Sequence, residues 1–242
     1  MKKSSLDEIR QRFDADVERF SNLETGQTST VDAALAMALA CDAAIRAVPN
    51  IQAILDIGCG AGNYSLSLLQ RCPQQTGTLP SVDVTLADLS EPMLARAKER
   101  VSAVTAGTVQ TKQGDIREID LGVGKFDVIL AAAVLHHLRE DADWHAVFKK
   151  CFAALKPGGT FWIVDLVTHD IPAVQSLLWE RYGDYLVALK GPEYRDHVFD
   201  YIGYEDTPRS VPFQMDALRK AGFRAVEVLH KNTCFATIGA VA

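Results

Sequence analysis

The stretch Ile54–Asn63, which reads ILDIGCGAGN, decides the fold because it is typical of a strand that turns through glycines into a helix. Glycine allows positive φ and lets the backbone approach a ligand closely. The free N–H groups at the start of the following helix favour a negatively charged partner. In an open α/β sheet, nucleotide-like ligands bind at such a turn. The stretch therefore predicts a nucleotide-like cofactor.

Two cofactor classes compete for this turn. A nicotinamide dinucleotide is bound by the spacing GxGxxG, but the position of its third glycine holds Asn63. The spacing here is GxGxG, from Gly58 through Gly60 to Gly62, and Asp56 precedes it. A carboxylate at the strand end suits a ligand with a cationic amino group better than a pyrophosphate. The turn thus favours an amino-bearing cofactor and counts against a dinucleotide.

Strands and helices alternate outward from the glycine turn. Short apolar segments predict strands at 51–57, 82–89, 108–112, 126–134 and 160–167, with helices between them. A final pair of strands at 225–230 and 233–240 is expected to join through a Lys231-Asn232 turn. The predicted fold class is α/β, with a mostly parallel seven-stranded sheet and one antiparallel strand from the C-terminal hairpin.

The pattern divides the chain into four segments. Residues 1–49 are expected to form an N-terminal helical lid, which starts with a helix over 5–20 behind the capping-box pair Ser5 and Glu8. Residues 50–168 form the cofactor-binding core, and the aromatic-rich residues 169–212 form a helical cap around an acceptor pocket. Residues 213–242 supply the last helix and the hairpin that completes the sheet. A packed or dimer-contacting N-terminal helix remains an alternative to a lid.

Acidic residues follow the second and third predicted strands. Asp88, followed by Leu89, stands where a carboxylate can accept hydrogen bonds from both hydroxyls of a ribose. Asp115, followed by Ile116, can accept from an exocyclic amine such as that of adenine. Their alternatives are a helix-starting acid before Pro92 and an ordinary turn aspartate.

Together these residues resemble the class I S-adenosylmethionine-dependent methyltransferases, in order from Asp56 to Asp165. The resemblance implies a Rossmann-like three-layer sandwich, S-adenosyl-L-methionine as the cofactor, S-adenosyl-L-homocysteine as its product, and direct methyl transfer to a small-molecule acceptor. It also implies cofactor contacts: Gly58, Gly60 and Gly62 at the methionine portion, Asp88 and Leu89 at the ribose, Asp115 and Ile116 at the adenine, and Ala131 beside the sulfonium.

Two alternatives to ordinary methyl transfer remain. Chain length, the N-terminal helices and residues 213–241 also resemble the carboxy-S-adenosylmethionine synthase and tRNA wobble-uridine modification group. The glycine turn has the ordinary donor-binding form, which favours methyl transfer. The second alternative is a non-catalytic cofactor-binding regulatory module, because Asp88 and Asp115 indicate binding without proving turnover.

Candidate residues for acceptor chemistry lie in two places. His136 and His137, after the fourth strand, are candidate general bases, with capping of the next helix or packing on the cofactor as the alternative. His136 and Glu140 lie four residues apart, but no further ligands are evident, so no metal is expected. Tyr182, Tyr194, Arg195 and His197 are the candidate acceptor-binding residues, with a cap core as the alternative.

Composition restricts the class of partner. The 242 residues carry 25 basic and 31 acidic side chains, and this net charge of -6 argues against a nucleic-acid partner. Neither a secretion signal nor an apolar stretch of membrane-spanning length is evident. The five cysteines are scattered, which predicts a reducing, cytoplasmic location. Aromatic cap helices could also form a homodimer surface.

Overall fold

Seven strands form one sheet in the part of the chain that the computed structural model describes, residues 3–22, 26–72 and 78–242. The strands are β1 (Ala53–Ile57), β2 (Asp83–Asp88), β3 (Val109–Gln113), β4 (Phe126–Ala132), β5 (Leu155–Leu166), β6 (Ala225–Asn232) and β7 (Phe235–Val241). Their order across the sheet is β3-β2-β1-β4-β5-β7-β6. β7 runs antiparallel to both of its neighbours, β5 and β6, and the other neighbouring strands described are parallel to each other. The predicted fold class is therefore confirmed.

Helices cover both faces of the sheet. They are α1 (Leu6–Asp14), α2 (Val17–Ser21), α3 (Ala33–Ala47), α4 (Asn63–Arg71), α5 (Glu91–Ser102), α6 (Asp141–Ala154), α7 (Pro172–Lys190), α8 (Pro192–Glu205) and α9 (Val211–Ala221). Alternate residues of a strand point to opposite faces. Ile129 of β4 accordingly packs in a core with α6 and α9, whereas Val128 packs in a second core with α3, α4 and α5. Burial on both faces explains why β1 and β4 are almost wholly apolar.

The N-terminal helical segment differs from its prediction. Ser5 and Glu8 form the expected capping box at the start of α1, but the helix predicted over 5–20 breaks after Asp14. Asp16 leaves the helical conformation and starts α2. The rings of Phe13 and Phe20, on the two sides of this break, lie 5.8 Å apart. Residues 1–2 and 23–25 of the predicted lid lie outside the described residues, as do residues 73–77 of the predicted core.

Two strand boundaries also correct the predictions. Strand β5 begins at Leu155 rather than at residue 160, since Leu155 pairs with Phe126 before an irregularity shifts the register. The terminal hairpin turns at Thr233 and Cys234, so Lys231 and Asn232 belong to β6. Thr233 has a φ of 46°, a left-handed conformation typical of tight turns.

The segment between β5 and α9 carries α7 and α8, which pack against each other around Tyr182, Leu186 and Phe199. Among the described residues, no helix combines the length and the apolar character that a bilayer crossing requires. The division of the chain into four segments remains a prediction.

Candidate active site

A cavity of about 740 Å³ lies at the carboxyl ends of β1, β2, β4 and β5. Its floor includes the glycine turn, Asp88 and Asp115, and its opposite wall includes Phe13 and Phe20 from the N-terminal helices. In parallel sheets this edge is where ligands bind, because the loops after the strands open there. The volume falls within the range of about 300–1,000 Å³ that is typical of small-molecule sites.

At the glycine turn, backbone atoms without side chains line the cavity. Gly58 has a φ of 62°, and a Cβ atom there would lie 2.5 Å from Cγ2 of Val134. Gly60 has a φ of 48°, yet a Cβ atom there would meet nothing within 4 Å. Gly58 is thus required by close packing below the turn. At Gly60 the positive φ favours glycine, and the space above it is open to a ligand.

Asp88 ends β2 beside this turn. Its Oδ2 accepts a hydrogen bond from the backbone N–H of Gly60 at 2.9 Å, and its Oδ1 accepts one from the N–H of Ser90 at 2.9 Å. Burial raises the pKa of Asp88, although these two amides act in the opposite direction. A carboxylate has about four acceptor sites. Acceptor capacity therefore remains for ligand hydroxyls while the backbone holds the group in place.

Asp56 lies under the turn, 2% exposed. The hydroxyl of Ser65, in the first turn of α4, donates to Asp56 Oδ2 at 2.6 Å, and the Ser65 backbone N–H donates to the same atom at 3.2 Å. Burial raises the pKa of Asp56 to about 7, against the effect of both bonds. Asp56 therefore ties the end of β1 to α4 and also lines the cavity.

Asp115 follows β3 and is held by a local ion pair. Arg117 Nη2 lies 2.5 Å from Asp115 Oδ2, and the Arg117 backbone N–H donates to Oδ1 at 2.8 Å. Burial alone would raise the pKa of Asp115, but these contacts with Arg117 outweigh it and lower the pKa. Asp115 and its neighbour Ile116 both line the cavity. The Asp115 carboxylate is thus kept ionised and fixed in direction.

The two histidines stand in a short 3₁₀ turn after β4. His136 Nδ1 hydrogen-bonds Asp165 Oδ1, and Asp165 Oδ2 accepts the backbone N–H of Leu135 at 2.8 Å and that of His136 at 3.2 Å. This orients the His136 ring so that its Nε2 faces away from β5. The rings of His136 and His137 lie 4.3 Å apart, and both line the cavity.

Asp206, just after α8, reaches the same two rings. Its Oδ1 lies 3.8 Å from His136 Nε2 and 3.2 Å from His137 Nδ1. Burial lowers the pKa of His136, but the charges of Asp165 and Asp206 raise it further, to about 9. Burial and the neighbouring His136 lower the pKa of His137.

The N-terminal helices close over the cavity through polar contacts. Arg12 Nη2 lies 2.8 Å from Glu205 Oε1 at the end of α8, and Glu205 is 1% exposed. The hydroxyl of Ser90 donates to Asp14 Oδ1 at 2.5 Å, and the side-chain amide of Asn63 donates to the carbonyl of Phe20 at 2.8 Å. The helices are therefore bound both to the end of α8 and to the starts of α4 and α5.

A family model described as a methyltransferase domain matches residues 54–159. The match contains the glycine turn, Asp88 and Asp115, which line the cavity described above. Residues 54–159 thus match a methyltransferase domain, and this match supports the class I S-adenosylmethionine-dependent methyltransferases as the family that the chain resembles. The family resemblance seen in the sequence is thereby confirmed.

Individual methyltransferases are related to this chain at moderate identity. The demethylmenaquinone methyltransferase of Lactococcus lactis subsp. lactis (strain IL1403) is 29% identical over 178 residues, covering 72% of this chain and 66% of that protein. An uncharacterized methyltransferase of Mycobacterium bovis is 30% identical over 128 residues, covering 53% of this chain and 56% of that protein. The matches thus span just under two thirds and just over half of these relatives.

A solved methyltransferase shares the fold. Human N-acetylserotonin methyltransferase, determined in complex with S-adenosylmethionine, superposes with a TM-score of 0.59 and 17% identity, covering 96% of this chain and 56% of that chain. At this identity the likeness bears on the fold alone.

The residues of this site fit S-adenosylmethionine. Gly60 leaves open space at the turn, and the Asp88 carboxylate keeps acceptor sites free for ribose hydroxyls. Asp56 offers a buried carboxyl group on the same side as the glycine turn, where an amino group could bind. Asp115 and Ile116 lie at the neighbouring strand end, where the adenine is expected.

Three predicted site residues, Gly62, Ala131 and Arg195, do not line the cavity, and their assigned roles stay predictions. A Cβ atom on Gly62 would lie 3.2 Å from Cβ of Ala97, so this glycine serves the close approach of α4 to α5. Ala131 points into the core beneath α6, and the next residues, Ala132 and Ala133, line the cavity instead. Arg195 lies outside the cavity and pairs with Asp196 at 2.7 Å.

The remaining predicted residues meet at the cavity, but two important acids were missed. Asp56, Gly58, Gly60, Asp88, Leu89, Asp115, Ile116, His136, His137, Tyr182, Tyr194 and His197 all line it. Asp165 and Asp206 join them. The position of Asp165 at the end of an apolar strand was a usable signal, the same as for Asp88. Asp206 follows a cap helix and has no such local signal.

Proposed function

We propose that this methyltransferase transfers the methyl group of S-adenosylmethionine to a small-molecule acceptor held inside the cavity. An acceptor lone pair attacks the methyl carbon, the sulfur–carbon bond breaks, and its electron pair remains on sulfur. The products are the methylated acceptor and S-adenosylhomocysteine, with a proton released from a hydroxyl or amine nucleophile. The cofactor supplies the activated methyl group when bound, so the protein mainly orients the partners and excludes water.

One observation carries this proposal: a single cavity contains both the cofactor-binding features and a separate polar group for the acceptor. The glycine turn and Asp88 line it from the ends of β1 and β2, and His136 and His137 line it from the turn after β4. Between the histidines and the cap, the walls include the aromatic residues Phe13 and Tyr194. This environment suits a largely apolar acceptor with one polar group directed toward the histidines.

Enclosure favours a small acceptor over a macromolecule. The cavity is covered by α1, α2 and α8, which would have to move to admit a nucleic acid. The net charge of -6 also disfavours a phosphate backbone. The name of the Lactococcus lactis relative, a demethylmenaquinone methyltransferase, points to a small apolar acceptor as well.

An enzyme that makes carboxy-S-adenosylmethionine is expected to have a basic side chain near the sulfonium that no acidic residue pairs with. Four arginines line the described part of the cavity, and each has an acidic partner within 4 Å: Arg12 and Arg139 with Glu205, Arg19 with Asp16, and Arg117 with Asp115. Ordinary methyl transfer needs no such cation and is therefore the better interpretation.

The N-terminal residues are proposed to act as a lid. Helices α1 and α2 contact α5 and the cap over the cavity, and the contacts are polar ones that can break and reform. Such closure excludes water from the reaction and opens to release product. The helical segment 169–212 is proposed to carry the acceptor side of the pocket, and residues 213–242 complete the sheet.

The proposal is tested in two steps. Calorimetry measures S-adenosylhomocysteine binding to the purified chain, for which we expect a micromolar dissociation constant. Transfer of labelled methyl from S-adenosylmethionine is then measured across a panel of small phenols, quinols, amines and acids, with a tRNA pool for comparison. Label on a small acceptor supports the proposal. Label on tRNA alone, or binding of a nicotinamide dinucleotide in place of S-adenosylhomocysteine, would overturn it.

A further inference from the structure

Three ligand-type side chains converge at the acceptor end of the cavity. His136, His137 and Asp206 each place one nitrogen or oxygen atom within 4.8 Å of those of the other two. Asp206 is 8% exposed and His136 is 9% exposed, so this is a buried cluster rather than a surface group of acids. Burial makes every unmatched polar atom in it costly.

Two atoms of the cluster lack a hydrogen-bond partner among the described residues. They are His137 Nδ1 and Asp206 Oδ1, which lie 3.2 Å apart but without hydrogen-bond angles between them. A buried polar atom without a hydrogen-bond partner indicates that a partner is missing, such as an ion. Both residues line the cavity.

The cluster is also held in place before any ligand binds. Asp165 bonds His136 Nδ1, which leaves Nε2 as the atom that faces the cluster. The Thr207 backbone N–H donates to the carbonyl of His136 at 2.8 Å, and the Thr207 hydroxyl donates to the carbonyl of Leu138 at 2.5 Å. These bonds fasten the segment that carries Asp206 to the turn that carries both histidines.

We propose that His136 Nε2, His137 Nδ1 and Asp206 Oδ1 bind a divalent first-row transition-metal ion of the Zn²⁺ class. Two imidazole nitrogens and one carboxylate oxygen form a common ligand set for such ions, with a further position open to solvent or substrate. Asp165 would then be the carboxylate that hydrogen-bonds a metal-bound histidine, which fixes the tautomer and the direction of the His136 ring.

Distances and charge both agree with this assignment. Zinc–nitrogen bonds of about 2.0–2.1 Å in tetrahedral geometry place the ligand atoms about 3.3 Å from one another. Asp206 Oδ1 lies 3.2 Å from His137 Nδ1 and 3.8 Å from His136 Nε2. All three atoms lie within 4.8 Å of one another, so the histidine rings need only a small shift to reach this spacing. Asp165 and Asp206 together supply two negative charges, which match a divalent cation.

The sequence pointed to a different partner for His136. Glu140, four residues on, acts as the N-cap of α6, where its backbone N–H donates to Asp143 Oδ2 at 3.1 Å. It is therefore not the third ligand. Asp206, which takes that place, lies far along the chain and comes close only through the packing of α8 and the following segment.

A bound ion would give this end of the cavity a defined chemistry. If the ion kept one position free of protein ligands, an acceptor hydroxyl could bind there, because His136, His137 and Asp206 all line the cavity. A divalent cation lowers the pKa of a bound hydroxyl and favours its deprotonated, nucleophilic form. This second step rests on the proposed methyl transfer, whereas metal binding itself does not.

The test uses the full chain after chelator treatment and dialysis. Co²⁺ is titrated with visible absorption as the readout, and Zn²⁺ with calorimetry and with the shift in unfolding temperature that a ligand of the native state produces. We expect one ion per chain. His137→Gln and Asp206→Asn should each weaken binding by more than about 100-fold, and Asp165→Asn by about 10- to 100-fold.

His169→Gln is the matched control, because this half-buried histidine bonds Gln175 outside the cavity and should leave ion affinity unchanged. Circular dichroism melts show whether each variant is folded. Absence of a bound ion, or equal affinity in a folded His137→Gln variant and the control, would overturn the proposal. S-adenosylhomocysteine binding is measured in parallel, so ion binding without it would reject only the proposed function.

Discussion

Replacing Asp88 with alanine should weaken S-adenosylhomocysteine binding by about 10- to 150-fold. The carboxylate holds the amides of Gly60 and Ser90, each at 2.9 Å, and keeps acceptor sites free toward the cavity. Losing one charge-assisted hydrogen bond to the ribose costs about 1.5–3 kcal/mol, which corresponds to that range of dissociation constants. Release of the Gly60 amide would also loosen the glycine turn, so the loss should lie nearer the upper end.

The assay is calorimetry at 25 °C, with Asp83→Ala as the control. Asp83 lies at the opposite end of β2 and likewise accepts two hydrogen bonds, from the N–H of Thr108 at 2.7 Å and from its hydroxyl at 2.6 Å. It does not line the cavity. The control should therefore keep full affinity for S-adenosylhomocysteine. An unchanged dissociation constant for folded Asp88→Ala, or an equal loss in both variants, would refute the assigned ribose contact.

Three further predictions follow from the same geometry. Gly58→Ala should lower the free energy of unfolding by about 2–4 kcal/mol through its positive φ and its clash, whereas Gly60→Ala should cost only about 1–2 kcal/mol yet strongly reduce cofactor binding. Burial raises the pKa of Asp56 to about 7, so between about pH 4 and 7 the unfolded parent chain loses this proton while the folded chain keeps it, and the parent becomes less stable. Asp56→Asn has no such proton, so its free energy of unfolding should rise relative to the parent by up to about 4 kcal/mol over that interval. Arg12→Ala should speed amide exchange in residues 3–22 and shorten cofactor residence several-fold, whereas Arg10→Ala, which removes an exposed pair on the same helix, should not.

Each of these predictions has a result that contradicts it. Urea unfolding that destabilises both glycine variants equally would show that the space above Gly60 has no role in ligand access. A pH-independent stability difference for Asp56→Asn would mean that the carboxyl group has an ordinary pKa in the folded chain. Identical exchange rates in the Arg12 and Arg10 variants would remove the contact between α1 and α8 from the proposed lid.

Local sequence patterns determined the succession of strands and helices along the chain. The apolar segment before Gly58, the small residues at the end of β4 and the acids after β2 and β3 have fixed meanings, because backbone period and turn chemistry act within a few residues. From them the fold class, the cofactor class, and the places of Asp88 and Asp115 could be predicted. The same patterns could not show that Arg117 would bind both oxygens of the Asp115 carboxylate.

Other features depend on contacts between residues distant along the chain. Gly62 looks like its two neighbours in the motif, but the packing of α5 against α4 decides that it serves helix contact. The direction of Ala131 depends on the register and twist at the end of β4. Arg195 faces away from the cavity because of how α8 lies on α7.

The glycine turn and its acids were therefore determined by the sequence alone, since the strand–turn–helix pattern carries their roles locally. The His136, His137 and Asp206 cluster was decided only by the tertiary structure. Two of its members are adjacent in sequence, but the third arrives from the end of α8, fastened by Thr207 to the turn after β4. No local pattern encodes the proximity of these three residues, because it results from the packing of the segment after α8 against the turn after β4.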